Sequence, residues 1–121
     1  MKNFKIGKEI NRLLKNNVLG IGDKVFPLVA NPNTNFPFLV YRRIGYTPMS
    51  NKDYFGETVT IEINVASEKY EESVDIANNV ADILQGKETE IIEDIRLINV
   101  SEIYLQDTFI QNLQFSIVLK D

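Results

Sequence analysis

The sequence predicts an α+β domain in which two helices pack on one face of a mostly antiparallel sheet of about five strands. Two segments have helical periodicity, five have the composition or alternation of strands, and their order is α-β-β-β-α-β-β. The clearest strand, 58–66, alternates apolar and polar residues, which indicates one dry and one wet face. A chain of 121 residues with 44% hydrophobic side chains suffices for a single domain, expected over 1–121.

The first helix is expected over residues 4–17. Its apolar side chains recur at helical spacing and form one buried face, made of Ile6, Ile10, Leu13 and Leu14. Asn3 is the candidate N-cap and Gly20 marks the end, while Gly7 weakens the first turn by up to ~1 kcal/mol relative to Ala. The outer face carries a basic stripe, formed by Lys5, Lys8, Arg12 and Lys15.

Three strands are expected next, over 24–29, 38–44 and 58–66. Pro27 restricts the first strand to an edge or an irregular position, because proline lacks the N–H that a ladder needs. Residues 45–56 form a polar loop between the second and third strands. Side chains in or beside this loop either fold back onto the sheet or form a protein interface: Tyr46, Met49, Tyr54 and Phe55.

The second helix is expected to run from a Ser67 cap to about Gln85, with Gly86 as its C′ stop. Its buried stripe is predicted to contain Tyr70, Val74, Ala77, Val80, Ala81 and Leu84. Its exposed face carries an acidic stripe, formed by Glu68, Glu71, Glu72, Asp75 and Asp82. Residues 87–94 follow as a charged connector.

Two long strands, 95–105 and 109–119, complete the sheet as a hairpin with a turn of about three residues, 106–108. One face of the second strand carries Phe109, Gln111, Leu113, Phe115, Ile117 and Leu119. The alternation of the first strand slips near Ser101 and Glu102, which predicts a β-bulge at that position.

The residue types that are missing exclude several function classes. The sequence contains no Cys and no His, which removes thiolate nucleophiles, sulfur ligands, His-based triads and imidazole bases. The acids of 88–94 have neither EF-hand spacing nor a glycine, so they are interpreted as a solvated connector. We therefore expect no catalytic residue, cofactor or metal. No apolar segment has the length of a signal sequence or membrane span, which predicts a soluble protein made in the cytoplasm, without membrane contact.

Charge is distributed unevenly along the chain. The net charge of −4 argues against sequence-specific nucleic-acid binding. Residues 1–67 carry nine basic and five acidic side chains, whereas 68–107 carry three basic and eleven acidic ones. Either both stripes are solvated outer faces, or the basic stripe of one subunit meets the acidic stripe of its neighbour in a ring. Of Arg42 and Arg43, only one can point toward the core face, so the other is expected to be available to a partner.

Several short stretches have a recognisable order and spacing. After the amphipathic N-terminal helix come DKVFP (23–27), PFLVYRRI (37–44), VTIEINVAS (59–67) and a helix containing YEES (70–73), IANNV (76–80) and LQG (84–86). Over nearly the whole chain, this pattern resembles the tail-completion or tail-terminator family of long-tailed bacteriophages, which includes the tail-to-head joining proteins.

The resemblance implies a structural subunit that assembles as a homo-oligomeric ring, expected to be a hexamer. Such a ring caps the finished tail tube and docks with head connector proteins, while DNA passes through the bore. The implied location is the head–tail junction of the virion, after assembly in the bacterial cytoplasm. A negatively charged bore suits DNA passage because it attracts phosphates little; Glu62 and the acids of 88–94 are open candidates for lining it. Loop 45–56 matches a family loop that contacts the tube or a neighbour.

Other functions remain open at this point. The chain could be a head-completion protein of the same junction, or a small bacterial oligomeric module that binds a ligand. An apolar pocket with converging polar groups would favour the module. A carboxylate with a strongly raised pKa inside a cleft would favour a carboxylate-dependent hydrolase.

Overall fold

The computed structural model describes residues 4–48 and 57–120 as two helices and one five-stranded sheet. The elements are α1 (Ile6–Leu14), β1 (Val25–Pro27), β2 (Phe38–Thr47), β3 (Thr58–Ser67), α2 (Tyr70–Leu84), β4 (Ile92–Leu105) and β5 (Thr108–Leu119). The strand order across the sheet is β1-β2-β3-β5-β4, and only the short β1 runs parallel to its neighbour. The predicted α+β class and element order are confirmed.

Both helices cover the same face of the sheet, as predicted. Alternate residues of β3, such as Ile61 and Ile63, are fully buried and share one core cluster with residues of α1 and α2. Helix α1 packs on β1 and β2, whereas α2 packs on β3, β5 and β4, and the two helices touch. The other face of the sheet is uncovered by any described element, and we call it the open face.

Both helices are shorter than predicted. Helix α1 ends before Lys15 because Lys15 is extended and Asn16 has a left-handed backbone (φ 62°). Helix α2 begins at Tyr70 and not at Ser67, so the predicted cap is wrong. Ser67 is the last residue of β3; its hydroxyl accepts from the Lys69 N–H (3.0 Å) and donates to Glu72 (2.6 Å). The hydroxyl therefore orders the strand-to-helix turn. Asn3, the predicted cap of α1, lies outside the described residues.

The strand boundaries also differ from prediction. Strand β1 stops at Pro27 because Leu28 has φ 66°, which no strand accommodates. Strand β2 continues to Thr47, through an irregularity between Arg43 and Gly45, and takes the first three residues of the predicted loop 45–56. Strand β4 begins at Ile92, inside the predicted connector 87–94.

The bulge predicted near Ser101 and Glu102 is wrong. Those two residues pair regularly with Asn112 and Gln111. The register shifts instead between Ile92 and Asp94 and between Leu97 and Asn99. The hairpin turn has two residues and not three: Gln106 and Asp107 both have positive φ, 51° and 59°, which is the geometry of a type I′ turn.

The second half of β4 extends beyond the cover that α2 provides. Five large apolar side chains there are each at least half exposed: Ile98, Val100, Ile103, Tyr104 and Leu105. Strand β4 is also an edge strand of the described sheet, so its outer backbone groups face no other strand. Exposed apolar edge strands are templates for contact with another chain.

Candidate interaction surfaces

The fold places the two oppositely charged parts of the sequence on opposite halves of the molecule. Residues 4–48 form α1, β1 and β2 at one side of the sheet and carry seven basic and two acidic side chains. Residues 68–107 carry three basic and eleven acidic side chains; they form α2 and β4 at the other side, joined by a connector, 85–91, that returns beside α1. We call these the basic half and the acidic half. The strands between them, β3 and β5, contain one charged side chain, Glu62.

The basic stripe is exposed along α1. Arg12 is held by Glu9, whose carboxylate accepts from the guanidinium Nε at 2.6 Å, and this pair lowers the pKa of Glu9. The connector returns beside α1 at this point, so that Glu90 also attracts Arg12. Lys8 and Lys15 are exposed and form no ion pair with any other described residue. Lys5 is exposed as well.

Both arginines of the Arg42–Arg43 pair are exposed, whereas one of the two was expected to be available. Arg42 lies on the open face, where its Nε donates to Glu62 at 2.8 Å. Arg43 points to the helix-bearing face, but near the start of α1, where its guanidinium lies 4.6 Å from the centre of the Phe4 ring. Its Nη1 also donates to the Phe4 carbonyl at 3.0 Å. Arg43 therefore lies on the helix-bearing face but at its margin, where it covers Phe4 and stays exposed.

Tyr46 packs against the core from β2. Its ring meets Phe4 edge-to-face at 5.1 Å, and its hydroxyl donates to Glu57 at 3.0 Å. Burial and the Glu57 carboxylate together raise the pKa of Tyr46. Met49, Tyr54 and Phe55, the other residues predicted for this interface, lie outside the described residues.

The acidic stripe is exposed on α2 at Glu71, Asp75 and Asp82. Glu72 is half-buried, because it accepts the Ser67 hydrogen bond. Glu68 is exposed but precedes α2, so it is not a member of the helical stripe that the sequence predicted. The acidic surface of α2 therefore has three exposed carboxylates instead of five.

A chain of hydrogen bonds crosses the centre of the open face. Arg42 and Asn64 both donate to Glu62, Asn112 donates to Asn64 at 2.8 Å, and Gln114 donates to Asn112 at 3.4 Å. Burial opposes ionisation of Glu62, but the hydrogen bonds from Arg42, Asn112 and Asn64, with the charge of Arg42, lower the pKa of its carboxyl overall. Three residues of this chain, Glu62, Asn64 and Asn112, also line a concavity of about 630 Å³. Its apolar walls include Phe36, Phe38, Val40, Ile103, Leu105 and Ile110.

Sequence reasoning missed a smaller pocket at the end of the β4–β5 hairpin, which we call the hairpin pocket. It has about 190 Å³ and is lined by Tyr70, Glu102, Ile103, Tyr104, Phe109 and Gln111. The Phe109 ring lies 5.6 Å from Tyr70 and 4.7 Å from Tyr104 between centroids. The prediction that Tyr70 lies in the buried stripe of α2 is wrong, because Tyr70 is 46% exposed.

Hydrogen bonds fix the carboxylate of the hairpin pocket. Glu102 accepts from the Tyr70 hydroxyl at 2.9 Å and from Gln111 Nε2 at 2.8 Å. The bond from Gln111, followed by that from Tyr70, lowers the pKa of Glu102. The same pairing raises the pKa of Tyr70, and Asp107 raises that of Tyr104. The sequence did contain a signal for this pocket. The period of two along both strands places Glu102, Tyr104, Phe109 and Gln111 on one face.

Neither a metal-binding cluster nor a carboxylate with a raised pKa is found in the described part of the chain. No group of three acidic side chains there is close enough to hold a metal ion. The described carboxylates whose pKa is displaced, Glu9, Glu62 and Glu102, are all displaced downward, as hydrogen-bonded anions are. Within residues 4–48 and 57–120, neither helix has the length and apolar character required to cross a membrane.

The exposed apolar edge strand β4 is typical of a surface that contacts another protein chain. A family model described as tail completion protein gp17 matches residues 10–119, and the chain therefore belongs to the tail completion protein gp17 family. The resemblance seen in the sequence is thereby confirmed, and the chain is a phage-type tail protein. Direct comparison with curated protein sequences yields no significant match.

A solved structure shares the fold. It is a chain from the virion of a native gene transfer agent particle, with a TM-score of 0.62 and 13% sequence identity. The match covers 93% of this chain and 84% of the other. At this identity, the likeness concerns the fold alone.

Proposed function

We propose that this chain is the non-enzymatic subunit of a homo-oligomeric ring, expected to be a hexamer, that caps the tail tube and joins the tail to the head. Its partners are copies of itself, the tail-tube protein and head connector proteins. The ring is part of the virion at the head–tail junction and is assembled in the bacterial cytoplasm. DNA passes through its bore without sequence-specific binding. Membership of the tail completion family supports this role.

The observation that carries the ring is the charge polarity of the subunit. A contact is heterologous when a surface on one half of a subunit meets a different surface, on the other half of its neighbour. Such contacts close into rings when the rotation between subunits allows it. Here the exposed basic stripe of α1 and the acidic stripe of α2 lie on opposite halves of the sheet. Each subunit can therefore offer its acidic half to one neighbour and its basic half to the other.

The first experiment measures native mass by light scattering over a concentration series at low and high salt. We expect a closed species near six times the 13.9 kDa subunit mass that dissociates as salt rises, because exposed charges are screened beyond about 3 Å at 1 M salt. A monomer under all conditions, which also fails to assemble on isolated tail tubes, would overturn the ring.

A charge-reversal pair tests the polarity directly. Lys8→Glu/Lys15→Glu changes two exposed lysines of the basic stripe, and we expect it to abolish assembly while circular dichroism shows a folded chain. The matched control, Lys69→Glu/Lys87→Glu, changes the net charge equally but on the acidic half, so it should assemble normally. Equal loss in both variants would indicate a net-charge effect and would refute the polar contact.

Tail joining is tested by co-sedimentation with tail-tube polymer and, separately, with head connectors. The proposed role requires binding to the tube end and arrest of its elongation. Binding to the connector alone would instead favour the head-completion alternative.

A further inference from the structure

The hairpin pocket has the chemistry of a binding site for a cation. Aromatic faces attract cations through their quadrupole, and an adjacent carboxylate adds direct charge attraction. Tyr70 and Tyr104 are 46% and 58% exposed, so their rings are accessible from outside. Among the described residues, no Lys or Arg pairs with Glu102. The pocket thus presents an oriented anion between aromatic walls, without a counter-charge of its own.

We propose that the hairpin pocket binds the charged end of a lysine or arginine side chain, and that this side chain belongs to the basic stripe of a second copy. The second part rests on the proposed ring. It gives that ring a specific contact on its acidic side.

The hydrogen bonds around Glu102 orient its carboxylate to accept a donor from a bound cation. Tyr70 and Gln111 hold the carboxylate in place, but a carboxylate has about four acceptor positions, so capacity remains for an incoming donor. Preorganisation of this kind lowers the cost of ordering the site when the ligand arrives.

The surroundings also fit a protein interface. Val100 is exposed on the same face of β4 as Glu102 and Tyr104, and Ile98 is exposed at the register shift next to it. An apolar rim that excludes water strengthens a charged contact at its centre. The complementary charge is available on the opposite half of the subunit, where the ammonium groups of Lys8 and Lys15 are without a described ionic partner. A second copy is therefore the occupant that charge complementarity selects.

The cation site is tested with a small probe on the full chain. N-acetyl-arginine methylamide is titrated while the ring protons of Tyr70, Tyr104 and Phe109 are followed by NMR. We expect saturable shifts in the millimolar range that Glu102→Gln abolishes. N-acetyl-citrulline methylamide has the same shape without charge and should produce none. Absent saturation, or equal shifts from both probes, would overturn the site.

The occupant is tested by sedimentation equilibrium of full-length variants. Glu102→Gln and, independently, Tyr104→Leu should weaken subunit association about tenfold. Glu93→Gln removes an exposed charge from the same strand outside the pocket and should have little effect. If Lys8→Glu/Lys15→Glu abolishes assembly but Glu102→Gln leaves it intact, the ring stands and the occupant is wrong. If the wild-type chain never associates, the ring and the occupant both fail, and the probe still decides the cation site.

Discussion

Replacing Gly7 with alanine tests how closely α1 packs on β2. A Cβ at Gly7 would lie 3.1 Å from Cε2 of Tyr41, which is closer than ordinary van der Waals contact. Tyr41 is buried, and its hydroxyl accepts a hydrogen bond from Asn11 Nδ2 at 3.4 Å, so its ring is restrained on both sides. The glycine that weakens the helix by its backbone freedom therefore also makes room for the aromatic ring.

Two opposing contributions determine the effect of Gly7→Ala. Alanine is the better helix former by up to ~1 kcal/mol, because glycine loses more backbone entropy. The methyl group, however, forces the Tyr41 ring to move by a few tenths of an ångström, and overpacking of this kind costs about 1–3 kcal/mol. We expect overpacking to exceed the helix term, with a loss of about 1 kcal/mol in the free energy of unfolding and about 4 °C in Tm.

Urea unfolding followed by circular dichroism measures this change, and a double-mutant cycle with Tyr41→Leu assigns it. In the Tyr41→Leu background the ring is gone, so Gly7→Ala should stabilise by up to ~1 kcal/mol. If Gly7→Ala stabilises the wild-type chain, or if its effect is equal in both backgrounds, the reasoning about the close contact is refuted.

Two further predictions concern stability. The pKa of Glu62 is below its ordinary value of 4.5 in the folded chain, so its stabilising contribution is complete above that value and is lost as pH falls through the folded pKa. Urea midpoints between pH 7 and pH 3 should therefore fall less steeply for Glu62→Gln than for the wild type, and parallel profiles would contradict this. Gln106→Asn should stabilise the hairpin turn by up to ~1 kcal/mol, because Asn adopts positive φ with less strain; a lower Tm would count against it.

The sequence was most informative where one surface of an element is dry and the other wet. The strict alternation of β3 follows from helices covering one face only, and its prediction over 58–66 differs from Thr58–Ser67 by one residue. The residue at which α2 begins was harder to predict. The Ser67 hydroxyl forms local hydrogen bonds in a strand-to-helix turn as readily as it would at a helix cap.

The second half of β4 could not be predicted correctly, for a related reason. Beyond Leu97 every residue of the strand is exposed, so apolar residues no longer mark an inward face. The register shift between Leu97 and Asn99 then exchanges the faces, and the apparent slip was assigned three residues too late. The prediction for Tyr70 failed for the same reason. Its helical spacing indicated a buried position, but it lies beside the exposed hairpin and remains exposed.

The positions of the candidate surfaces relative to one another could not be predicted, because they depend on the order of the strands in the sheet. The distribution of charge along the sequence does not contain that order. The five acids predicted for the interface, at 68–82, lie in or just before α2, which packs on β3, β5 and β4, whereas the basic stripe lies on α1, which packs on β1 and β2.

Strand β5 follows β4 in the chain but lies between β3 and β4 in the sheet. Strand β4 therefore cannot join β3 directly, and has a partner only after β5 has been synthesised and inserted. Until then the edge of β3 stays open, and the acidic half exists as a helix with an unpaired strand. Because chains emerge from the ribosome in order, a nascent or truncated chain lacking β5 would have its basic surface but no completed counterpart. For the proposed ring, this means that the acidic surface offered to a neighbour forms only when the fold is complete.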